Sequence, residues 1–150
     1  MSIKDRLVSD MKEAMKAREE GKARLAVIRM VRAAIKNAEI EKKEPLDDSE
    51  TAKVIMREIK QRKESLPEYE KAGRTDMVES LQEEIRILQE YLPEQLTEEE
   101  IQSMAEQIIA QTGASGPKDI GKVMGPLMEQ TKGRAEGKVV NSVVRRLLGG

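Results

Sequence analysis

Apolar residues recur every three or four positions along most of the chain, the spacing at which they share one face of an α-helix. This pattern predicts four helices before residue 93. Gly21, Pro45 and Pro93 are expected to end the first, second and fourth of them. In chain order, the four apolar stripes are Ile3, Leu7, Met11 and Met15; Leu25, Ile28, Val31, Ile35 and Ala38; Ile55 and Ile59; and Met77, Leu81, Ile85 and Leu88.

The third of these helices has recognisable start and stop signals. Asp47 or Asp48 can cap its amino end, whereas Pro67 and Gly73 are expected to end or kink it. Narrow apolar stripes of this kind are the faces that neighbouring antiparallel helices bury against one another. Residues 1–93 are therefore predicted to form an antiparallel helical domain.

The sequence EYLPEQLTEEE marks a boundary, after which the pattern predicts three more helices. Thr97 and Glu100 form a T-x-x-E capping box that opens the first of them, and Gly113 ends it. Gly133 ends the second. Residues 97–150 are predicted to form a three-helix tail domain. Its apolar stripes are Ile101, Met104 and Ile108; Ile120, Val123, Met124, Leu127 and Met128; and Val139, Val140, Val143, Val144, Leu147 and Leu148.

Composition agrees with an all-α fold. The chain is rich in good helix formers, charged residues make up 37% of it, and aromatic residues only 1%. Strand-forming clusters bounded by turns are missing from the sequence. The nine methionines are interpreted as adaptable core side chains rather than as cofactor ligands.

The residue types that the chain lacks limit its chemistry. It contains no cysteine and no histidine, which excludes disulfides, thiol nucleophiles and the usual zinc sites. The first residues, MSIKDRLVSD, do not form the apolar core of a signal peptide, and no apolar run is long enough to span a membrane. The sequence therefore predicts a soluble, cytoplasmic protein without a membrane partner.

Charge is distributed unevenly along the chain. Residues 1–43 carry a formal charge of +5, residues 44–112 of −10 and residues 113–150 of +4, which together give the net charge of −1. Basic segments at both ends are typical of proteins that bind nucleic acid. Solvated helix faces that happen to differ in charge remain the alternative.

No arrangement of residues predicts catalysis. Ser115 lies three residues before Lys118, but the strand that such nucleophiles normally follow is missing. Gly116 and Gly121 do not have the spacing of a phosphate-binding loop. The acidic run at residues 98–100 fits the amino end of a helix better than a metal cluster. We therefore predict no catalytic residue, no metal site and no cofactor.

The segment GKVMGPLMEQTKGRAEGKVV, residues 121–140, carries the main functional signal. Gly121 and Gly125 are four residues apart and so share one face of a helix, where bare backbone allows close approach by a partner. Basic residues lie beside these glycines and around the turn at Gly133. The alternative is that the first two glycines only permit tight helix packing and that Gly133 only ends a helix.

At this segment the sequence resembles the YqeY family. The blocks GKVMG and KGRAEG, and upstream IRMVRAAIKNAEI, EIKQRKESLPEYEKAGRTD and EIRILQEYLPEQL, are similar to those of the family over essentially the whole chain. The same pattern closes the B subunit of the glutamine-dependent aminoacyl-tRNA amidotransferase (GatB), where the tail binds the body of tRNA. The resemblance implies two all-helical parts and these RNA-facing positions: Gly121, Lys122, Gly125, Lys132, Gly133, Arg134, Lys138 and Asn141.

The resemblance also implies an association with carbon–nitrogen ligase activity that uses glutamine as the amido-nitrogen donor. The implied partners are tRNA or another folded RNA, and an amidotransferase or synthetase. The sequence departs from the family pattern at Glu136, where Asp or Asn usually caps the next helix, and Glu is a poorer cap. Pro126 lies inside a predicted helix, where it removes a hydrogen bond and is expected to expose carbonyl groups.

Three functions are compatible with these observations. The first is a stand-alone tRNA- or structured-RNA-binding module that acts as an accessory to tRNA-dependent amidation. With tyrosines only at positions 69 and 91 to stack on bases, it is expected to read RNA shape rather than sequence. The second is a helical protein–protein adaptor that does not bind RNA. The third is an amidotransferase-related enzyme, which the missing nucleophile disfavours.

Overall fold

All regular structure in the computed structural model, which describes residues 1–149, is helical, and no strand occurs in this range. The all-α prediction is confirmed. Two 3₁₀ helices, Arg18–Gly21 and Pro117–Asp119, precede the second and the sixth α-helix of this range. The α-helices of these residues are α1 (Ile3–Lys16), α2 (Lys22–Lys42), α3 (Asp48–Lys71), α4 (Thr75–Gln89), α5 (Glu98–Thr112), α6 (Ile120–Thr131) and α7 (Gly137–Leu148).

The chain divides into two compact units, Met1–Leu92 and Pro93–Gly150, and each has its own buried core. The predicted domains extended over residues 1–93 and 97–150, and the last of these residues, Gly150, lies outside the described range. Among the described helices, none combines the length and the apolar character that crossing a membrane requires.

The amino-terminal unit buries an almost entirely aliphatic core between α1, α2, α3 and α4. Consecutive helices in this unit contact each other and are joined by short connections, which is the arrangement of antiparallel neighbours. Burying aliphatic side chains contributes about 1.5–3 kcal/mol for each fully buried residue. The largest members of this core are Leu7, Ile28, Val31, Ile55, Leu88 and Tyr91.

Tyr91 is the one aromatic residue of that core and is 1% exposed. Its hydroxyl donates a hydrogen bond to the Asp10 carboxylate, and the Arg6 guanidinium lies 5.0 Å from the ring centroid. Burial, followed by the hydrogen bond to Asp10, raises the pKa of Tyr91 to about 12. The neutral phenol therefore bonds α1 to the end of α4.

Arg62 is a buried charge that links α3 to α4. Its guanidinium is 3.1 Å from a Glu58 carboxylate oxygen in the same helix and 3.0 Å from a Glu84 oxygen in α4. It also donates to the Glu58 carbonyl at 3.0 Å. A buried guanidinium must be paired in this way, because removal of one partner leaves an uncompensated charge.

The predicted start of the third helix is confirmed, and Asp47 rather than Asp48 is its cap. The Asp47 carboxylate accepts a hydrogen bond from the Glu50 amide at 2.8 Å, and Glu50 completes the capping box. The Asp48 carboxylate instead accepts from the Ile3 amide at 3.0 Å, which joins the first turn of α3 to that of α1.

The carboxy-terminal unit consists of α5, α6 and α7, each in contact with the other two. Thr97 and Glu100 form the predicted capping box at the start of α5, and Gly113 ends that helix with a φ of +72°. The fully buried apolar side chains of the carboxy-terminal unit are Ile101, Ala105, Val123, Leu127, Val140, Val143 and Val144.

Two sequence-based expectations in the amino-terminal unit differ from the structure. Met15 lies outside the core, with 51% of its surface exposed, because the buried face of α1 passes through Ile3, Leu7 and Ala14 instead. Pro67 does not end α3, which continues to Lys71. Pro67 is exposed, so its ring faces solvent while the other hydrogen bonds of the helix hold the segment together.

Gly21 has a different role from the helix terminator that the sequence suggests. It is buried at the amino end of α2, and a Cβ atom at this position would lie 2.2 Å from the Ala14 carbonyl oxygen. This oxygen is a backbone atom and, unlike the end of a flexible side chain, cannot move away from an added Cβ atom without displacing α1. Gly21 therefore permits the close approach of α2 to α1.

We expect Gly21→Ala to lower the free energy of unfolding by about 1–3 kcal/mol, the usual cost of overpacking. Urea unfolding followed by circular dichroism measures this loss. Gly121→Ala is the matched control, since a Cβ atom there meets nothing within 4 Å. The control should be neutral or should gain about 1 kcal/mol from helix propensity. Equal stability of Gly21→Ala and wild type would contradict the close approach.

Candidate nucleic-acid interface

The side chains that α6 buries determine which of its residues face solvent. Val123, Leu127 and Thr131 recur every four residues and are buried against α5 and α7. The opposite side of the helix is therefore turned outward. The exposed residues on that side are Gly121, Lys122, Gly125, Pro126 and Glu129.

Gly121 and Gly125, called the glycine strip below, lie in open space. A Cβ atom at either position would meet no atom within 4 Å. The glycines therefore do not serve tight helix packing in the described structure. Each costs the helix about 1 kcal/mol relative to alanine, and no internal contact compensates for that cost.

Pro126 lies beside the glycine strip and adds a second irregularity to it. It has no N–H group, so it cannot donate the hydrogen bond that the Lys122 carbonyl would receive in a regular helix. The helix nevertheless continues to Thr131. The Lys122 carbonyl thus lacks its usual helical donor, and Lys122 is one of the exposed residues of α6.

Lys122 is held next to the strip by Asp119. The Lys122 Nζ is 3.3 Å from an Asp119 carboxylate oxygen, and the other oxygen accepts from the Ser115 amide at 3.0 Å. Asp119 is only 7% exposed. The hydrogen bond from Ser115, aided by Lys122, lowers the pKa of Asp119 below its ordinary value of 3.8. The carboxylate therefore fixes both the loop before α6 and the lysine.

The turn between α6 and α7 is formed by Lys132, Gly133 and Arg134. Gly133 is buried with a φ of +76°, a conformation that favours glycine, and so it allows the chain to reverse. The Arg134 amide donates to the Thr131 carbonyl at 2.8 Å and closes the turn. Lys132 is half-buried and makes no ion pair among the described residues.

The segment that leads into α5 braces this turn from outside. The Leu96 amide donates to the Arg134 carbonyl at 2.9 Å, and the Gln95 side chain donates to the Gly133 carbonyl at 3.2 Å. The Arg134 guanidinium donates to the Glu94 carbonyl at 3.4 Å while its residue stays exposed. Arg134 thus has an anchoring role besides its charge.

The amino end of α7 has no side-chain cap. Glu136 is in an extended conformation and its carboxylate makes no capping hydrogen bond, as expected for a poor capping residue. The amides of Gly137 and Lys138 are therefore available to an anion. Gly137 also packs on α6, because a Cβ atom there would lie 3.2 Å from the Met128 methyl carbon.

Every charged residue of α7 is basic, and two of them, Arg145 and Arg146, were not among the predicted RNA-facing positions. Helix α7 contains Lys138, Arg145 and Arg146 and no acidic residue. The Arg145 guanidinium donates to the Asn141 side-chain oxygen at 2.7 Å, whereas Arg146 donates to the Gln102 side chain of α5 at 3.2 Å. The spacing of Lys138 and Arg145, two turns apart, was the signal in the sequence for this face.

The sequence-predicted residues thus form two groups within the carboxy-terminal unit. Gly121, Lys122 and Gly125 lie on the exposed side of α6. The other five surround the turn and the first turns of α7: Lys132, Gly133, Arg134, Lys138 and Asn141. Their role in RNA binding stays a prediction. Among residues 1–149, no group of three or more acidic side chains is arranged to hold a metal ion.

Comparison with known proteins identifies relatives along nearly the whole chain. The family model described as Yqey-like protein matches residues 4–148. A protein of Pyrenophora tritici-repentis, named altered inheritance of mitochondria protein 41, mitochondrial, is 33% identical over 147 residues, which cover 96% of this chain and 80% of the relative.

Yeast relatives with the same name are matched over shorter stretches. The Kluyveromyces lactis protein is 37% identical over 74% of this chain and 60% of its own length. The Eremothecium gossypii protein is 36% identical over 57% of this chain and 46% of its own length. The matched stretches therefore span between 46% and 60% of these yeast proteins.

The names of these relatives contradict the sequence-based prediction of a cytoplasmic location. All of them are named as mitochondrial proteins. The prediction was based on the missing apolar core of a secretory signal and the missing membrane span. Neither feature excludes an organelle, because mitochondrial targeting segments are amphipathic and basic rather than continuously apolar.

The lowered pKa of Asp119 predicts a pH-dependent contribution to stability. A carboxylate whose pKa is lower in the folded state stabilises the fold above the pKa of the unfolded state. That contribution is lost as the pH falls below 3.8 through the lower value of the folded protein. Asp119→Asn should therefore be less stable than wild type at pH 7, and the difference should shrink as the pH falls toward 3.

Urea unfolding at several pH values measures this difference. Glu129→Gln is the matched control, since it removes an exposed carboxylate from α6, the helix that follows Asp119. It should leave the free energy of unfolding at pH 7 within about 0.5 kcal/mol of wild type. A deficit of Asp119→Asn that stayed constant from pH 7 to pH 3 would show that the carboxylate charge is not what stabilises this loop.

Proposed function

The chain belongs to the YqeY-like family, and from that premise we propose that it is a stand-alone helical module that binds tRNA or another structured RNA. The observation that carries this proposal is the glycine strip. Two glycines weaken a helix, face open space and lie beside a lysine. Bare backbone at an exposed surface beside a lysine is suited to close contact with the backbone of a folded nucleic acid.

The contacts available to RNA are of two kinds. Lys132 and Lys138 have no ion-pair partner among the described residues, so their ammonium groups are free to meet phosphates. The uncapped amides at the start of α7 add hydrogen-bond donors and the positive end of a helix dipole. Lys122 can contribute as well, although Asp119 already neutralises part of its charge.

Recognition of this kind reads the shape of the RNA. Stacking of unpaired bases needs accessible aromatic side chains. The chain has only two tyrosines, and one of them, Tyr91, is buried in the amino-terminal core. Phosphate and ribose contacts to a helical RNA surface do not need them, and we therefore propose a preference for folded over unstructured RNA.

We further propose that the module acts as an accessory to tRNA-dependent amidation, alongside an amidotransferase or synthetase. The support is the similarity of residues 121–141 to the tail of the amidotransferase B subunit. Any carbon–nitrogen ligase activity with glutamine as amido donor would then belong to the partner, because the chain lacks cysteine and histidine and its Ser115 and Lys118 do not follow the strand that such nucleophiles normally follow. Glutamine hydrolysis by the purified chain alone would contradict this assignment.

The glycine strip also favours a second candidate, a protein–protein adaptor. An exposed pair of glycines four residues apart admits a partner helix as readily as an RNA backbone. The basic face of α7 favours RNA over most protein partners. Capture of a protein partner that survives nuclease treatment, together with no preference for tRNA, would support the adaptor.

We expect wild type to bind tRNA more tightly than an unstructured RNA of equal length at near-physiological salt. Lys132→Gln with Lys138→Gln should weaken tRNA binding and reduce the slope of log affinity against log salt by up to about 2, since each lost phosphate contact contributes about 0.9. Fluorescence anisotropy titrations at several salt concentrations measure both quantities.

The matched control is Lys60→Gln with Lys63→Gln, which removes two exposed and unpaired lysines from α3 and so changes net charge equally. This control should leave the salt slope nearly unchanged. Equal, weak affinity for the two RNAs would show that the basic tail acts only through its general positive charge. Equal losses of tRNA affinity in the two double variants would show the same.

The glycine strip itself can be tested without changing charge. Gly121→Ala with Gly125→Ala should raise the free energy of unfolding by about 1–2 kcal/mol, because each alanine favours the helix by nearly 1 kcal/mol. The same variant should bind tRNA less tightly, since its methyl groups keep the RNA backbone away. A variant that gained stability and bound tRNA like wild type would show that the glycines do not contact RNA.

A further inference from the structure

A cleft in the amino-terminal unit lies between α1 and α2, in a part of the chain that the proposed function does not use. Its volume is about 470 Å³, which is in the range of small-molecule sites. Side chains of Leu7, Val8, Ala33 and Ile35 contribute the apolar part of its lining. Leu7 and Ile35 belong to the buried core, so this part of the cleft rests on rigid structure.

Three cations of α2 line the same cleft. Arg29, Arg32 and Lys36 follow one another at intervals of three and four residues, so their side chains occupy one edge of the helix. None of the three makes an ion pair within residues 1–149. The Arg32 guanidinium donates a hydrogen bond to the Met11 sulfur at 3.2 Å. All three are exposed and therefore keep their charges in reach of solvent.

The remaining charged groups of the cleft neutralise one another. Lys4 Nζ is 2.8 Å from a Glu39 carboxylate oxygen, and that oxygen also accepts from the Leu46 amide at 2.9 Å. These bonds, with Lys4 foremost, lower the pKa of Glu39, so the carboxylate stays ionised and engaged. The cleft is left with three uncompensated positive charges on one side of an apolar surface.

We propose that this cleft binds a small organic phosphate. Arg29, Arg32 and Lys36 would hold the phosphate oxygens, and the apolar lining would receive the organic group. A phosphomonoester carries close to two negative charges and so compensates most of the excess, whereas a single carboxylate leaves the site strongly positive. Guanidinium groups donate two parallel hydrogen bonds to phosphate, which favours the same class of ligand.

The inference does not rest on the proposed RNA function, because its residues belong to a different unit and its ligand is small. The test is an NMR titration of the full ¹⁵N-labelled chain with phenyl phosphate, and with phenol as the uncharged counterpart. Phenyl phosphate should bind saturably and shift the amide signals of residues lining the cleft. Phenol should not bind at comparable concentrations, since it lacks the group that the cations recognise.

Arg32→Gln with Lys36→Gln should weaken phenyl phosphate binding by about tenfold or more, the effect of losing charge-assisted hydrogen bonds. Lys60→Gln with Lys63→Gln removes the same charge from α3 and should leave that affinity unchanged. Unaltered amide spectra away from the cleft will verify that both variants are folded.

Two results would overturn the proposal. The first is no saturable binding of phenyl phosphate at millimolar concentration, or equal loss in the two double variants. The second combines two observations: phenyl phosphate does not bind the wild type, and the double variant Arg32→Gln with Lys36→Gln binds tRNA less tightly than the wild type. That outcome would assign the cations to an RNA surface and leave the cleft without a ligand of its own.

Discussion

The burial of Val123, Leu127 and Thr131 against the neighbouring helices fixes the rotation of α6 about its own axis, and the candidate interface depends on that rotation. When a helix buries one aliphatic face, the residues on its opposite face are necessarily turned toward solvent. In α6 that other face holds two glycines, a proline and a lysine. The packing of a small aliphatic core thus determines which part of the backbone is open to a partner.

Electrostatic pairing then decides which basic side chains remain available. Asp119 holds Lys122, Glu39 holds Lys4, and Glu58 and Glu84 hold Arg62. Most of these pairs lie in partly exposed positions, so they contribute little to stability and mainly position the side chains. Unpaired cations such as Lys60 and Lys63 occur elsewhere on the chain, but one group of them lies around the start of α7 and another along one edge of α2. The net charge of −1 is therefore compatible with two locally positive surfaces.

The sequence was sufficient for the helices because their signals are local. Apolar spacing, the candidate caps Asp47 and Asp48, and the capping box at Thr97 identified the starts of α3 and α5 to within a residue. The role of Gly21 was missed because it depends on how closely α2 approaches α1, and no local pattern encodes the distance between two helices. Pro67 was expected to end or kink α3. The helix continues to Lys71 because its other hydrogen bonds hold it although Pro67 lacks one donor.

The candidate site was predictable in part. Sequence spacing places Gly121 and Gly125 on one face, but only the packing of α6 shows that this face is open. The anchoring contacts of Arg134 and the pairing of Asn141 with Arg145 are tertiary or side-chain details that residue types do not reveal. The cleft between α1 and α2 was not predicted, since it requires the arrangement of two helices and of nine side chains.

The backbone of α6 has a consequence for motion. Two glycines and a proline within six residues leave this helix with weak intrinsic stability, so contacts with its neighbours hold it together. Segments of this kind open locally more often than the rest of their domain, and their amide hydrogens exchange faster with solvent. A partner bound to the exposed side of α6 would suppress this local unfolding. The surface that we propose for recognition thus includes a helix that would lose conformational freedom when a partner binds.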